Sequence, residues 1–395
     1  MSDPRTLSWN HSVPAALWLM APFDLLASLA MDIYLPVVPA MSGVLGTSAS
    51  VVQLTLSLYL AVLGAGQLVF GPISDRVGRR RVLLGGACVF ALASFLLAST
   101  SDAAMFVGLR LLQAVGASAA LVATFATVRD VYAERPEGTV IYGLFSAMLA
   151  FVPALGPVAG ALLAKHFGWR ALFVTLGVLA TAAMLHALPR WPETRPAGAP
   201  ARGVPVQRIL RSAAFWTYTL GFSAAMGSFF VFFSTAPRVL IGRAGFSEVG
   251  FSLAFATAAL VMVLTARFAK HFVARWGLEG SLIRGMLLLL TGAVGLAAGQ
   301  WLTSASFGTF VVPMWVIAAG IVCAVSVTAN GALESFGAMA GTAVALYFCI
   351  QSLIVSSLGT LMIVLLDGDT AWPLVGYASL MASVTLGCLA FLRRR

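Results

Sequence analysis

The stretch Pro14–Pro39, PAALWLMAPFDLLASLAMDIYLPVVP, is apolar over a length that crosses a bilayer, and it carries two acids, Asp24 and Asp32. A spanning helix needs about 20 apolar residues. An ionised carboxylate at bilayer depth costs roughly 2.5–3.5 kcal/mol on insertion scales. Two such acids in one helix point to a function. They are eight residues apart, which is about 12 Å of rise and roughly 80° around a helix axis, so both can face one interior cavity at different depths. This pattern implies a proton path through a membrane transporter. A plainer alternative is open for Asp32, which lies near Tyr34, Pro36 and Pro39 and would then only cap or kink the helix end.

The remaining chain extends the same pattern. Of 395 residues 60% are hydrophobic and only 10% charged, against about 25% charged in ordinary soluble domains. Hydropathy divides the chain into twelve apolar segments. Six lie near 14–39, 51–71, 82–100, 103–128, 139–164 and 169–189; six more lie near 213–236, 246–267, 281–301, 306–330, 339–365 and 371–392. Between the sets runs a stretch rich in Pro, Gly and Arg, Arg190 to Ser212. The expectation is an all-α membrane protein of twelve transmembrane helices. A six-helix half, 1–189, and a second, 213–395, are joined by a cytoplasmic linker, 190–212, with the substrate site at the midplane between the halves.

Nineteen lysines and arginines fall in loops on one side and four on the other (Lys165, Arg170, Arg238, Arg243), with Arg110 alone inside a segment. The positive-inside rule then places both termini in the cytoplasm, as an even number of crossings requires. The net charge of +10 is spread over these short loops and forms no single face, so nucleic acid is not an expected partner. The first apolar run is too long for a cleavable signal and contains acids. Cys88, Cys323, Cys349 and Cys388 all lie in apolar runs without metal spacing. The four histidines are scattered, and no G-x-x-x-x-G-K-[ST] loop is present. Neither a metal, a cofactor, ATP-driven pumping nor an enzyme's constellation is therefore expected. A membrane-embedded enzyme or sensor is the rival class.

Three motifs carry further meaning. After the second segment runs Gly71-Pro-Ile-Ser-Asp75-Arg76-Val-Gly78-Arg79-Arg80-Arg81. Gly71 there permits a turn or a close helix contact, and Asp75, at a helix end, can cap it or pair with a neighbouring arginine. In the fourth segment Arg110, with Gln113 on the same face one turn on, needs a partner or a water-filled cavity unless it snorkels outward. Gly116 lets another helix approach. The fifth segment carries Pro153, Gly156, Pro157 and Gly160, residues that kink a helix and give it a tight packing face. Weaker candidates for a cavity wall are Tyr34, Gln113, Phe229, Phe232, Tyr347 and Gln351. Ser326, Thr328 and Asn330 could bond between helices.

These motifs resemble those of the major facilitator superfamily. The Gly71–Arg81 run matches its G-x-x-x-D-R-x-G-R-R/K signature. Arg110–Gly116 resembles its R-x-x-Q-G-x-G motif, with Ala114 where a Gly is usual. Gly156–Gly160 resembles the G-P-x-x-G motif of its drug antiporters. The phrase Met31–Pro39 is similar to twelve-span drug:proton antiporters of the Bcr/CflA group. Arg110–Gly138 and Phe229–Gly242 are similar to bacterial chloramphenicol and florfenicol exporters. The resemblance implies the superfamily's two-half fold and proton-coupled efflux of phenicol antibiotics across the bacterial cytoplasmic membrane by a monomer bathed in lipid. Asp24, Asp32 and Arg110 would couple protons, and Gly71, Asp75, Arg76, Gly78 and Arg79 would belong to a cytoplasmic gate. Export of other amphipathic drugs and, behind it, an uptake symporter are the alternatives.

Overall fold

Proline and glycine decide where this apolar chain breaks its helices. The structure is a computed structural model that describes residues 9, 11–132, 137–195, 206–302 and 304–393. The helices are α1 (Val13–Asp32), α2 (Val38–Val44), α3 (Ala49–Val77), α4 (Arg79–Ser99), α5 (Ala103–Tyr132), α6 (Glu137–Phe167) and α7 (Arg170–Arg190). There follow α8 (Val206–Leu210), α9 (Ala213–Pro237), α10 (Glu248–Ala266), α11 (Ala269–Leu302), α12 (Val312–Leu333), α13 (Ala340–Leu365) and α14 (Trp372–Arg393). No strand occurs among the described residues. Eleven of these helical stretches are long and apolar enough to span a membrane. A shorter apolar piece, Phe151–Phe167, lies inside α6, which runs for 31 residues as a whole. The expected twelve spans are thus eleven plus α6.

Large apolar side chains stand exposed on helix after helix, among them Trp18, Leu92, Phe167, Val294 and Trp301. Soluble monomers rarely expose apolar patches of more than a few hundred Å². A chain that does so all along its helices is solvated by lipid, and this is a multi-pass membrane protein.

Three boundaries differ from the hydropathy reading. The first apolar segment does not run through to Pro39. It ends at Asp32, passes through a 3-10 turn at Leu35–Val37 and resumes as α2. Pro36 has no N–H to bond the carbonyl of Asp32 four residues back, and the Tyr34 N–H turns to the Met31 carbonyl instead (3.3 Å). The second boundary lies at the other end of α3. Gly71 makes neither a turn nor a close contact: it lies inside α3, and a Cβ on it would touch nothing within 4 Å. The break comes at Gly78, whose φ of 108° is open to glycine alone among common residues. Third, α11 starts at Ala269, well before the expected 281, and is kinked at Gly277 (φ 69°). These two glycines each precede a long helix, one in each half of the sequence.

The chain clusters into two compact units. One holds residues 1–34, 43–47 and 58–203; the other holds 35–42, 48–57 and 204–395. The division between 203 and 204 falls inside the stretch read as a linker, whose residues 196–205 lie outside the described ones. In the first unit α4 and α5 cross with Gly86 and Gly116 at the contact, where a Cβ on Gly116 would lie 2.6 Å from the Gly86 carbonyl oxygen. In the second, α11 and α12 cross in the same way at Gly285 and Gly320 (2.8 Å from a Cβ on Gly320 to the Gly285 oxygen). Lipid gives helices no hydrophobic reason to associate, so backbone proximity and van der Waals contact do it instead. Repetition of the device in the two units fits a chain built of related halves.

Candidate functional site

Buried charge collects along α1, at Asp24 in its middle and at Asp32 at its end. Asp24 and Asp32 are both buried, and neither makes an ion pair or a hydrogen bond among the described residues; Asp24 Oδ2 and Asp32 Oδ1 are sealed from solvent without a partner there. Arg110 of α5 is 1% exposed, which rules out snorkelling. Among the described residues it forms no ion pair with either acid; the partner its burial calls for is a backbone carbonyl and an amide. Its Nη1 donates to the Ala30 carbonyl of α1 (3.1 Å) and to Gln113 Oε1 (2.6 Å). The Ala30 carbonyl is open because Tyr34, which would bond it in a continuing helix, has bonded Met31 instead. A cation at this point also meets the negative end of the α1 dipole.

Aromatic rings hold the guanidinium in place. Its carbon lies 4.6 Å from the Tyr59 ring centroid and 5.3 Å from that of Tyr34. Tyr34 is buried against Phe106 and Phe173. Gln113 shares the face of Arg110 as its spacing implied, and passes the bond on: its Nε2 donates to Ser94 Oγ (2.8 Å), which donates to the Phe90 carbonyl (2.7 Å). Arg110 Nε and Nη2 are left buried with no partner. A buried group so placed loses about 1–3 kcal/mol of hydrogen bonding, so the unpaired edge calls for an explanation.

The glycines of α6 seat this turn. A Cβ on Gly156 would come 2.7 Å from the Asp32 Cβ, and one on Gly160 would run into the carbonyl of Ile33. Pro153, Gly156, Pro157 and Gly160 therefore lie on a helix whose two small residues admit the α1 break. Gly160→Ala is expected to displace α1 rather than the rigid carbonyl's neighbours, because the obstructing atom is backbone. Activity should fall at least tenfold, with a loss of about 1–3 kcal/mol of stability as overpacking. Gly156→Ala, which meets a side-chain carbon, should be milder. Activity assays beside thermal melts in detergent check the order, and equal losses at the two sites would contradict it.

A second cluster lies on the arginine-rich side of the first unit. Arg79 is buried at the start of α4 and bonds three groups: Asp75 Oδ1 (2.5 Å), Asp130 Oδ2 of α5 (2.8 Å) and Ser74 Oγ (3.2 Å). Asp75 pairs with a neighbouring arginine, as its position implied. Arg76 is exposed, and its carbonyl accepts from Arg195 Nη1 (2.5 Å). Glu193, in the first residues of the linker, accepts from the backbone N–H groups of Arg79 (2.8 Å), Arg80 (3.3 Å) and Arg195 (3.1 Å). It thus caps α4 from 114 residues away in sequence. A Cβ on Gly78 would collide with that carboxylate, a second reason for glycine there.

In the second unit the candidates separate. Tyr347 donates to Thr328 Oγ1 (3.0 Å), joining α13 to α12, and stacks on Phe222 at 4.8 Å. Gln351 is buried one turn on and accepts from Ser352 Oγ (3.4 Å). Phe232 is fully buried with its ring between Phe255 (5.2 Å) and Phe310 (5.7 Å), a packing role. Phe229 is half-buried and tilts against Phe233 and Phe255. Ser326 bonds only its own helix, at Val322. Asn330 lines a cleft of about 420 Å³ with Leu278, Ala329, Leu333 and Glu334. No group of His, Cys, Asp and Glu arranged to hold a metal occurs among the described residues.

Sequence reasoning missed Tyr59, Asp130 and Glu193. Nothing local marks Tyr59, whose partner Arg110 is a full helix away. Asp130 sits among arginines, in Arg129-Asp130, and was absorbed by the count of positive charge.

Comparison with known proteins bears on these clusters. The family model described as Major Facilitator Superfamily matches residues 23–390. A chloramphenicol resistance protein of Pseudomonas aeruginosa is 52% identical over 97% of this chain and 92% of its own length. A multidrug resistance protein MdtL of Escherichia coli O81 (strain ED1a) is 29% identical over 81% of each chain. A crystallised peptide transporter of the POT type, in complex with sulfate, superposes with a TM-score of 0.78 over 94% of this chain and 93% of its own, at 12% identity, a likeness of fold alone.

Proposed function

We propose that this chain, which belongs to the Major Facilitator Superfamily, exports chloramphenicol-type antibiotics across the bacterial cytoplasmic membrane in exchange for protons. The chain is a membrane transporter of that superfamily, and its 52% identity to a chloramphenicol resistance protein over nearly its whole length carries the choice of drug. The more distant MdtL relatives support a second reading, export of a wider set of amphipathic drugs. The α6 glycines, which match the antiporter motif, favour export over uptake.

The coupling reading rests on α1. A carboxyl that no cation and no donor neutralises, buried at membrane depth, becomes neutral by carrying a proton. Asp24 and Asp32 are two such groups on one helix. Arg110 stays charged beside the same helix, with one edge free to meet a carboxylate when a proton leaves. Protons would load from the outer side and leave to the cytoplasm as the site alternates in access. Because chloramphenicol is neutral, exchange moves net charge inward. The membrane potential then contributes about 2.3 kcal/mol per charge per 100 mV, besides the pH gradient. No cofactor is needed.

The arginine bias supports cytoplasmic termini and a cytoplasmic position for the Arg79 cluster, where Gly71, Asp75, Arg76, Gly78 and Arg79 would serve the inner gate. The protein would act as a monomer surrounded by lipid. The test is uptake of radiolabelled chloramphenicol into proteoliposomes of inverted orientation under an imposed pH gradient, acid inside. Gradient-dependent accumulation is expected, and it should collapse when an ionophore dissipates the gradient. A folded preparation that accumulates other amphipathic drugs but not chloramphenicol would favour the second reading.

A further inference from the structure

We propose that Tyr59 is the positioning residue of the coupling site: it ties α1 to the guanidinium of Arg110 and fixes the direction of the free Arg110 edge. The proposal rests on the reading of Arg110 and the α1 acids as the proton-coupling groups. Tyr59 is fully buried in α3. Its hydroxyl donates to the Ala27 carbonyl of α1 (2.9 Å), and its ring faces the guanidinium at 4.6 Å. Arg110 in turn bonds Ala30, three residues beyond Ala27 and so on the same side of α1. The three links close a ring: α1 to Tyr59, Tyr59 to Arg110, Arg110 back to α1.

That ring has a geometric consequence. Both hydrogen bonds of the guanidinium, to Ala30 and to Gln113, run through Nη1, so the planar group can still turn about that nitrogen. An aromatic face against that plane removes the turning. Nη1 then points at Ala30 while Nε and Nη2 point elsewhere, unbonded. Tyr34 touches the guanidinium as well, but it belongs to the α1 break and moves with it. Tyr59 comes from a separate helix and can hold the cation against α1. Tyr59 thus touches Arg110 and the α1 backbone, both of which the coupling reading uses. Leucine would fill the space without holding either partner. Phenylalanine would keep the face and lose only the bond to Ala27.

Purified wild type, Tyr59→Phe and Tyr59→Leu in proteoliposomes provide the test. Gradient-driven chloramphenicol accumulation is measured beside counterflow, the exchange of drug for drug with the gradient collapsed. Tyr59→Leu is expected to lose tenfold or more in gradient-driven rate while counterflow stays within threefold of wild type. Tyr59→Phe, which keeps the face and loses the Ala27 bond, should fall between Tyr59→Leu and wild type in driven rate and keep counterflow within threefold. Equal losses of counterflow and driven transport in Tyr59→Leu would show a packing role and overturn the proposal, as would driven transport within threefold of wild type. Where Tyr59→Leu does not fold, Tyr59→Met fills a similar volume without a face and carries the same expectation. The underlying reading fails separately: wild type would then accumulate drug at the same rate with and without the pH gradient, before any variant is considered.

Discussion

Proteoliposomes holding Asp24→Asn are expected to exchange chloramphenicol across the membrane yet fail to concentrate it, with gradient-driven accumulation at least tenfold below wild type. Asparagine has the shape of a protonated carboxyl and cannot release a proton. The substitution therefore removes the transported ion and little else. Among the described residues neither Asp24 nor Asp32 makes a hydrogen bond or ion pair that an amide would break, so both variants should fold and bind drug. The sign follows from charge. A carrier that no longer exchanges a proton for the neutral drug loses both the pH term and the membrane-potential term, which is about 2.3 kcal/mol per 100 mV for each charge. Asp32→Asn separates two roles for the helix end. If Asp32 couples, its variant repeats the Asp24 result; if it only marks the α1 break, driven transport stays within threefold of wild type. Full accumulation by both variants would sink proton coupling through α1.

The sequence made α1 legible because membrane burial makes acids conspicuous. Hydropathy placed the spans for the same reason, since a bilayer demands long apolar runs. Where the reading slipped, a backbone detail had to be weighed against hydropathy. The apolar run through Pro39 hid the end of α1, although Pro36 lacks the N–H that the helix needs at that point. In the Gly71–Arg81 run two glycines looked alike, and only the one that turns the chain, Gly78, has the positive φ. Partners remote in sequence were not legible at all. Arg110 announced that it needed something. That it would take a helix carbonyl and two tyrosine faces, rather than an acid, follows from how α1, α3 and α5 pack. Tyr347 and Thr328 were each visible as polar residues in apolar helices, yet their bond to one another needed the fold. A packed ring such as Phe232 carries no local mark that distinguishes it from a cavity wall such as an exposed Phe would make.

Arg79→Leu should be the most destabilising single change in the first unit. Its partner Asp130 has a side chain only 6% exposed, whereas Asp75 is 57% exposed and can turn to water. Removing the arginine thus strands one buried carboxylate, not two. Breaking a buried pair from one side costs about 3–5 kcal/mol, and Arg129 at 3.6 Å, itself largely exposed, offsets little of it. On that scale the melting temperature in detergent should fall by on the order of 10 °C. Arg79→Lys should lie between, since a single ammonium cannot reach Ser74, Asp75 and Asp130 together as the fork does. The double variant Arg79→Leu/Asp130→Leu is the decisive measurement. If the loss comes from the stranded charge, removing that charge should restore most of the stability, because an apolar pair of similar volume often replaces a buried ion pair without loss. Should the double variant melt no higher than Arg79→Leu alone, the arginine's value would lie in its stem and its bond to Ser74. The start of α4 itself should hold in either case, because Glu193 caps it through backbone N–H groups that no side-chain substitution at Arg79 removes.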